Sequence, residues 1–170
     1  MKTQFLFFAV IFISVPAFSQ VIRLYGYEQA VSGGAEKEQG FISGKEEKPV
    51  TGNNRYFLFA EVKKGEPVIM KNVWIKRNSF SFKTDTLKKL PYVLQNSNGG
   101  ELSFRDTLVK SAGGNVIQLS ALSRIDNIQM PAGLKNKVIR NELVIVFLYR
   151  KKTLTAVLKK IKRVTPLFTQ

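Results

Sequence analysis

The chain has 170 residues, no cysteine, no histidine and a formal net charge of +15. The missing cysteines exclude disulfides and a lipid-modified amino-terminal cysteine. With histidine also missing, the Ser-His-Asp and Cys-His nucleophile systems and the common zinc, copper and haem ligand sets cannot be built. The length fits a single domain of the usual ~100–200 residues, and the charge favours anionic partners: nucleic acid, acidic polysaccharide, lipid head groups or an acidic protein face.

Residues 1–19 have the three-part layout of a secretory signal peptide. Met1-Lys2 is a short positive start, residues 5–15 form an apolar run, and Pro16-Ala17-Phe18-Ser19 supplies small residues before Gln20. A membrane anchor competes with this reading, but the run is well short of the roughly 20 residues that span a bilayer. Cleavage between Ser19 and Gln20 leaves residues 20–170 as one exported domain, without a transmembrane segment and not a lipoprotein. The charge is uneven along that domain. Residues 20–62 carry five Lys/Arg against six Asp/Glu, whereas residues 63–170 carry twenty-one against six.

Residues 21–27 alternate as a first strand. Residues 28–54 change character: Gly33, Gly34, Gly40, Gly44, Pro49, Gly52 and the closely spaced Glu36, Glu38, Glu46 and Glu47 mark a long, mobile polar loop, with a short strand at Phe41-Ile42. The stretch 55–82 is the centre of the pattern. Tyr56, Leu58, Ala60 and Val62 share one face and Phe57 and Phe59 the other, as in a strand covered on both sides. Gly65 and Pro67 turn it, residues 68–75 resume it, residues 76–78 turn again, and Phe80, Phe82 and Thr84 alternate. The short turns predict an antiparallel meander of three neighbouring strands. Trp74, the only tryptophan, has apolar neighbours on both sides and reads as core.

Residues 84–100 are less regular, with Leu87, Leu90, Tyr92 and Leu94 forming a helical turn or a further edge segment around Pro91. Strand pieces follow at 101–105, 107–109 and 115–122, and Pro131 and Gly133 make 124–137 a loop. Residues 143–149 are apolar on both faces and β-branched, a buried strand. Residues 150–152 turn it back. Residues 153–164 hold both a helical stripe (Leu154, Val157, Leu158 and Ile161) and a strand-like alternation at 153–157; the hairpin-length turn favours the strand. These elements predict an all-β fold, an antiparallel β-sandwich, Ig-like or a partly open barrel, of about 7–9 strands.

The pattern contains neither a phosphate-cradling glycine loop nor a Ser-x-x-Lys pair. Two-carboxylate hydrolysis needs only acids, and Glu61, Asp85, Glu101, Asp106 and Glu142 are its candidates, each more simply a surface carboxylate. The expectation is no enzyme, no cofactor and no metal. Two binding constellations remain. One is a basic carboxy-terminal hairpin of Arg150, Lys151, Lys152, Lys159, Lys160, Lys162 and Arg163, which serves either to protect a sheet edge or to contact an anionic surface. The other is Trp74 with Lys71, Lys76 and Arg77, in case the indole faces outward and stacks on a sugar or base.

The Phe18-Ser19-Gln20 ending of the signal, the Val73-Trp74-Ile75-Lys76 strand and the closing hairpin that starts at 143–149 resemble small uncharacterised exported proteins of Bacteroidota. That resemblance implies a Gram-negative envelope. The expected function is therefore an exported binding or assembly protein that meets another envelope protein through a sheet edge or the basic hairpin. The alternative is a module for an anionic polymer such as lipopolysaccharide, acidic glycan or extracellular DNA.

Overall fold

The computed structural model describes residues 22–32, 54–65, 67–97, 103–110, 112–126, 128 and 130–168. Along them run β1 (Ile22–Ser32), β2 (Asn54–Val62), β3 (Val68–Ile75), β4 (Asn78–Thr86), β5 (Tyr92–Ser97) and β6 (Ser103–Val109). They are followed by β7 (Asn115–Ile125), α1 (Ala132–Arg140), β8 (Leu143–Tyr149), β9 (Lys152–Leu158), β10 (Lys162–Arg163) and β11 (Leu167–Phe168). The expected signal segment and most of the expected polar loop lie outside the described residues. The described residues are all-β as expected, apart from one short helix. No helix among the described residues is long and apolar enough to cross a membrane.

The main sheet runs in the order β10-β1-β2-β7-β4-β3-β8-β9, with β11 also against β1, and curls into a half-barrel. Neighbours along β1 to β9 are antiparallel, whereas β10 and β11 lie parallel to β1. Strand alternation decides which side chains fill the curl. Ile22 and Leu24 of β1, Leu58 and Ala60 of β2, Val73 and Ile75 of β3, Phe80, Leu119, and Leu143, Ile145 and Phe147 of β8 form one buried cluster inside it. On the outer face, the separate β5–β6 pair covers Phe59 and Val116 with Leu108 and Val109. A second outer cover is α1, whose Leu134 and Val138 pack on Trp74 and Val144.

Of the expected forms, this arrangement is closer to the partly open barrel than to a sandwich of two facing sheets. Strands apolar on both faces have their inner side against the curl and their outer side under the small β5–β6 pair or under α1, so no second sheet of similar size is needed. The three-strand meander is also corrected. β3 and β4 form a hairpin, but β2 pairs with β1 and β7, so β7 and β4 stand between β2 and β3. The connection 63–67 leads across the end of the curl instead of turning back on its own strand. The first strand extends to Ser32, past the expected start of the loop at 28. The expected loop at 124–137 contains the last two residues of β7 and the start of α1. The 153–164 segment is a strand to Leu158 and then leaves the hairpin.

Two glycines mark close approaches. A Cβ on Gly114 would lie 2.0 Å from the Val62 carbonyl oxygen, so only glycine fits there. A Cβ on Gly26 would lie 2.9 Å from Leu158 Cδ2 and 3.3 Å from Ile161 Cγ1. Gly26 is thus the point where the end of β9 meets β1, and from there residues 159–168 run over the open side of the curl to pair with β1.

Candidate functional site

β1 points Ile22 and Leu24 into the curl, so the alternation sends Tyr25 and Tyr27 to the outer face. There they form the floor of an open groove of about 460 Å³, within the range of roughly 300–1,000 Å³ usual for ligand sites. One wall is the end of β6 with Asp106 and Lys110; the other is β10 with Lys162 and Arg163. The register puts Tyr27 opposite Lys162 and Glu28 opposite Arg163.

The tyrosine hydroxyls are committed to the protein. Tyr25 Oη donates to Glu61 Oε2 at 2.7 Å, and Glu61 Oε1 accepts the Gly113 N–H at 2.8 Å. Tyr27 Oη donates to the Leu108 carbonyl, and its ring meets Phe59 edge-on at 6.5 Å. Burial raises the Tyr25 pKa, with the hydrogen bond and charge of Glu61 adding to it; burial alone raises that of Tyr27.

The second wall is pinned by backbone and side-chain bonds. Thr165 N–H donates to Asp106 Oδ2 at 3.0 Å, Gln29 Nε2 donates to the Thr165 carbonyl at 2.9 Å, and Val164 N–H donates to the Glu28 carbonyl at 3.0 Å. Earlier along the same strap, Ile161 N–H donates to Glu142 Oε2 at 2.8 Å. Lys110, Lys162 and Arg163 are exposed and make no ion pair among the described residues. The groove lining therefore includes three cations without an ion pair among the described residues, a carboxylate with one oxygen committed to Thr165, and the side chains of Tyr25 and Tyr27.

The seven expected cations do not form one patch. Arg150, Lys151 and Lys152 sit at the β8–β9 turn, with Arg150 packed 5.2 Å from the centroid of the Tyr149 ring. Lys159, Lys160, Lys162 and Arg163 lie beyond the other end of β9, about 20 Å away at a strand rise of ~3.3 Å per residue. Of the seven, only Lys162 and Arg163 line the groove. Trp74 is 3% exposed under α1, so its stacking role is withdrawn and the core reading holds. Sequence reasoning missed Tyr25, Tyr27 and Lys110. The Tyr25-Gly26-Tyr27 pattern, two aromatics on one strand face, was the available signal, but it does not reveal that β6 and β10 flank that face.

Of the candidate carboxylates, Glu61 accepts the N–H of Gly113, Asp106 that of Thr165 and Glu142 that of Ile161, and Asp85 is exposed beside Lys83 at 3.8 Å; Glu101 lies outside the described residues. Inside the mouth of the curl, Glu28 collects Asn54 Nδ2 at 3.0 Å, Tyr56 Oη at 3.2 Å and Lys76 Nζ at 2.6 Å. Glu28 thus links β1 to Asn54 and Tyr56 of β2 and to the β3–β4 turn. Comparison with protein-family models, with curated proteins and with solved structures gave no match.

Proposed function

We propose that the chain is an exported, non-enzymatic binding protein of the bacterial envelope whose groove holds an anionic polymer. The observation that carries this reading is the convergence of Lys110, Lys162 and Arg163, none of them ion-paired among the described residues, on the rings of Tyr25 and Tyr27. Export is supported by the signal-like layout of residues 1–19. The non-enzymatic reading is supported by the lack of histidine and cysteine and by the separate backbone duties of Glu61, Asp106 and Glu142. The test is binding to an immobilised polyanion across a salt series. Affinity should fall with a log–log slope of about −2 to −3, the value for roughly three neutralised charges, and Lys162→Glu with Arg163→Glu should abolish it. Salt-independent binding, or a double variant that binds like the parent, would overturn the reading.

A second reading, another envelope protein docking at the sheet edge, is favoured by β9. Among the described residues that strand pairs with β8 alone, and its Val157 is 40% exposed. A partner retained at about 0.5 M salt, where the Debye length is only a few ångströms, would favour the edge over the groove.

A further inference from the structure

From the groove's mixed composition we infer its ligand class: an acidic sugar, a pyranose ring carrying a carboxylate or sulfate, within an acidic glycan. This rests on the polyanion reading above and narrows it. The discriminating residue is Asp106, which stands in the wall among the three cations with one oxygen occupied by Thr165 N–H. A groove for a phosphate polymer gains nothing from a carboxylate, which repels every phosphate that approaches. A sugar uses it, because a carboxylate has acceptor capacity on both oxygens and a pyranose presents hydroxyl donors.

The tyrosines point the same way. Their hydroxyls are held by Glu61 and the Leu108 carbonyl, so the rings are fixed in place and contribute apolar faces without an ordering cost. Sugar C–H faces pack on such rings while Lys162 and Arg163, on the adjacent strand β10, take the acid group. Arg163 suits this task because its planar guanidinium pairs with a carboxylate or sulfate through two parallel hydrogen bonds. The ligand also bridges β1, β6 and β10, and so ties the carboxy-terminal strap to the body of the curl.

The test is calorimetric titration of the purified protein with a galacturonate oligomer, with a neutral galactose oligomer and with polyphosphate of equal charge. The galacturonate oligomer should bind at least tenfold more tightly than either control. Tyr25→Leu should weaken galacturonate binding tenfold or more and change polyphosphate binding less than twofold. Tyr25→Phe, which keeps the ring and loses only the Glu61 bond, should bind galacturonate within twofold of the parent and so separate stacking from misfolding. Asp106→Asn keeps an acceptor for Thr165 and removes the repulsion, so it should strengthen polyphosphate binding at least twofold. If polyphosphate and galacturonate bind equally and Tyr25→Leu affects both alike, the sugar assignment falls while the polyanion reading stands. If no polyanion binds, both fall.

Discussion

Lys76 Nζ lies 2.6 Å from Glu28 Oε1 and 2.8 Å from Oε2, tying the β3–β4 turn to β1, a strand that is not its neighbour in the sheet. The pair is uneven, with the Glu28 side chain 8% exposed and that of Lys76 38%. Lys76 and Arg77 both have positive φ, 46° and 73°, in a two-residue hairpin turn where Asn-Gly is the favoured pair. The ion pair offsets that strain at Lys76. Arg77 is exposed, forms no ion pair among the described residues and has no such compensation.

Opposite effects are therefore expected from adjacent residues. Lys76→Met leaves the Glu28 carboxylate buried with only Asn54 and Tyr56 and should cost about 1–3 kcal/mol, discounted from the full value of a broken buried pair for the exposure of Lys76. Arg77→Gly relieves the left-handed backbone and should gain about 0.5–1 kcal/mol. Urea unfolding of both variants checks this; a loss of stability in Arg77→Gly would show that its guanidinium does structural work.

Gly114 and Gly26 make a second contrast. The Cβ of Gly114→Ala collides with a backbone carbonyl that cannot move without disturbing the pairing of β2 with β7, so this variant should lose at least about 3 kcal/mol or fail to fold. Gly26→Ala meets the ends of two flexible side chains, and rotamer changes at Leu158 and Ile161 should limit its cost to about 1–2 kcal/mol. Melting temperatures should rank parent, Gly26→Ala, Gly114→Ala in falling order.

These residues show how far the sequence was legible. Strands such as 55–62 and 143–149 could be read because period-two patterning and β-branching are local properties. The order of those strands could not. A five-residue connection that crosses the end of a curl looks, in sequence, like one that closes a hairpin. The helix at α1 was hidden because it buries only Leu134 and Val138, one i,i+4 pair, behind Pro131 and Gly133. The basic character of the carboxy-terminal segment was legible, but its division was not, since nothing local shows that the chain leaves the hairpin after Leu158 and carries Lys162 and Arg163 to the edge of β1.

Ser79 offers a test with no functional entanglement. Its hydroxyl is buried without a hydrogen-bond partner among the described residues, opposite Trp74 in the β3–β4 hairpin. An unpaired hydroxyl in an apolar setting is unfavourable, so Ser79→Ala should stabilise the protein by about 1 kcal/mol. An unchanged or lower midpoint in chemical denaturation would mean that a water or another group serves the hydroxyl in solution.

The alkaline limb of stability follows from four groups. Burial raises the pKa of Tyr25, Tyr27 and Tyr56, with the charge of Glu61 adding at Tyr25 and that of Glu28 at Tyr56. At Lys76 burial acts to lower the pKa, but the hydrogen bond to Glu28 and the neighbouring charges outweigh it and the net shift is upward. A folded-state pKa above the unfolded value means that the folded state holds its proton longer. The associated stability is therefore complete below the unfolded values of about 10 for tyrosine and about 10.4 for lysine, and drains away as pH rises through the folded ones. The melting temperature should be flat with respect to these groups from pH 7 to about 9 and fall above about 10. Tyr56→Phe should make that fall shallower, because one of the four protons no longer contributes and the partners of Glu28 still include Asn54 and Lys76. An alkaline decline of undiminished slope in Tyr56→Phe would assign the loss to the other raised groups, Tyr25, Tyr27 and Lys76, and not to Tyr56.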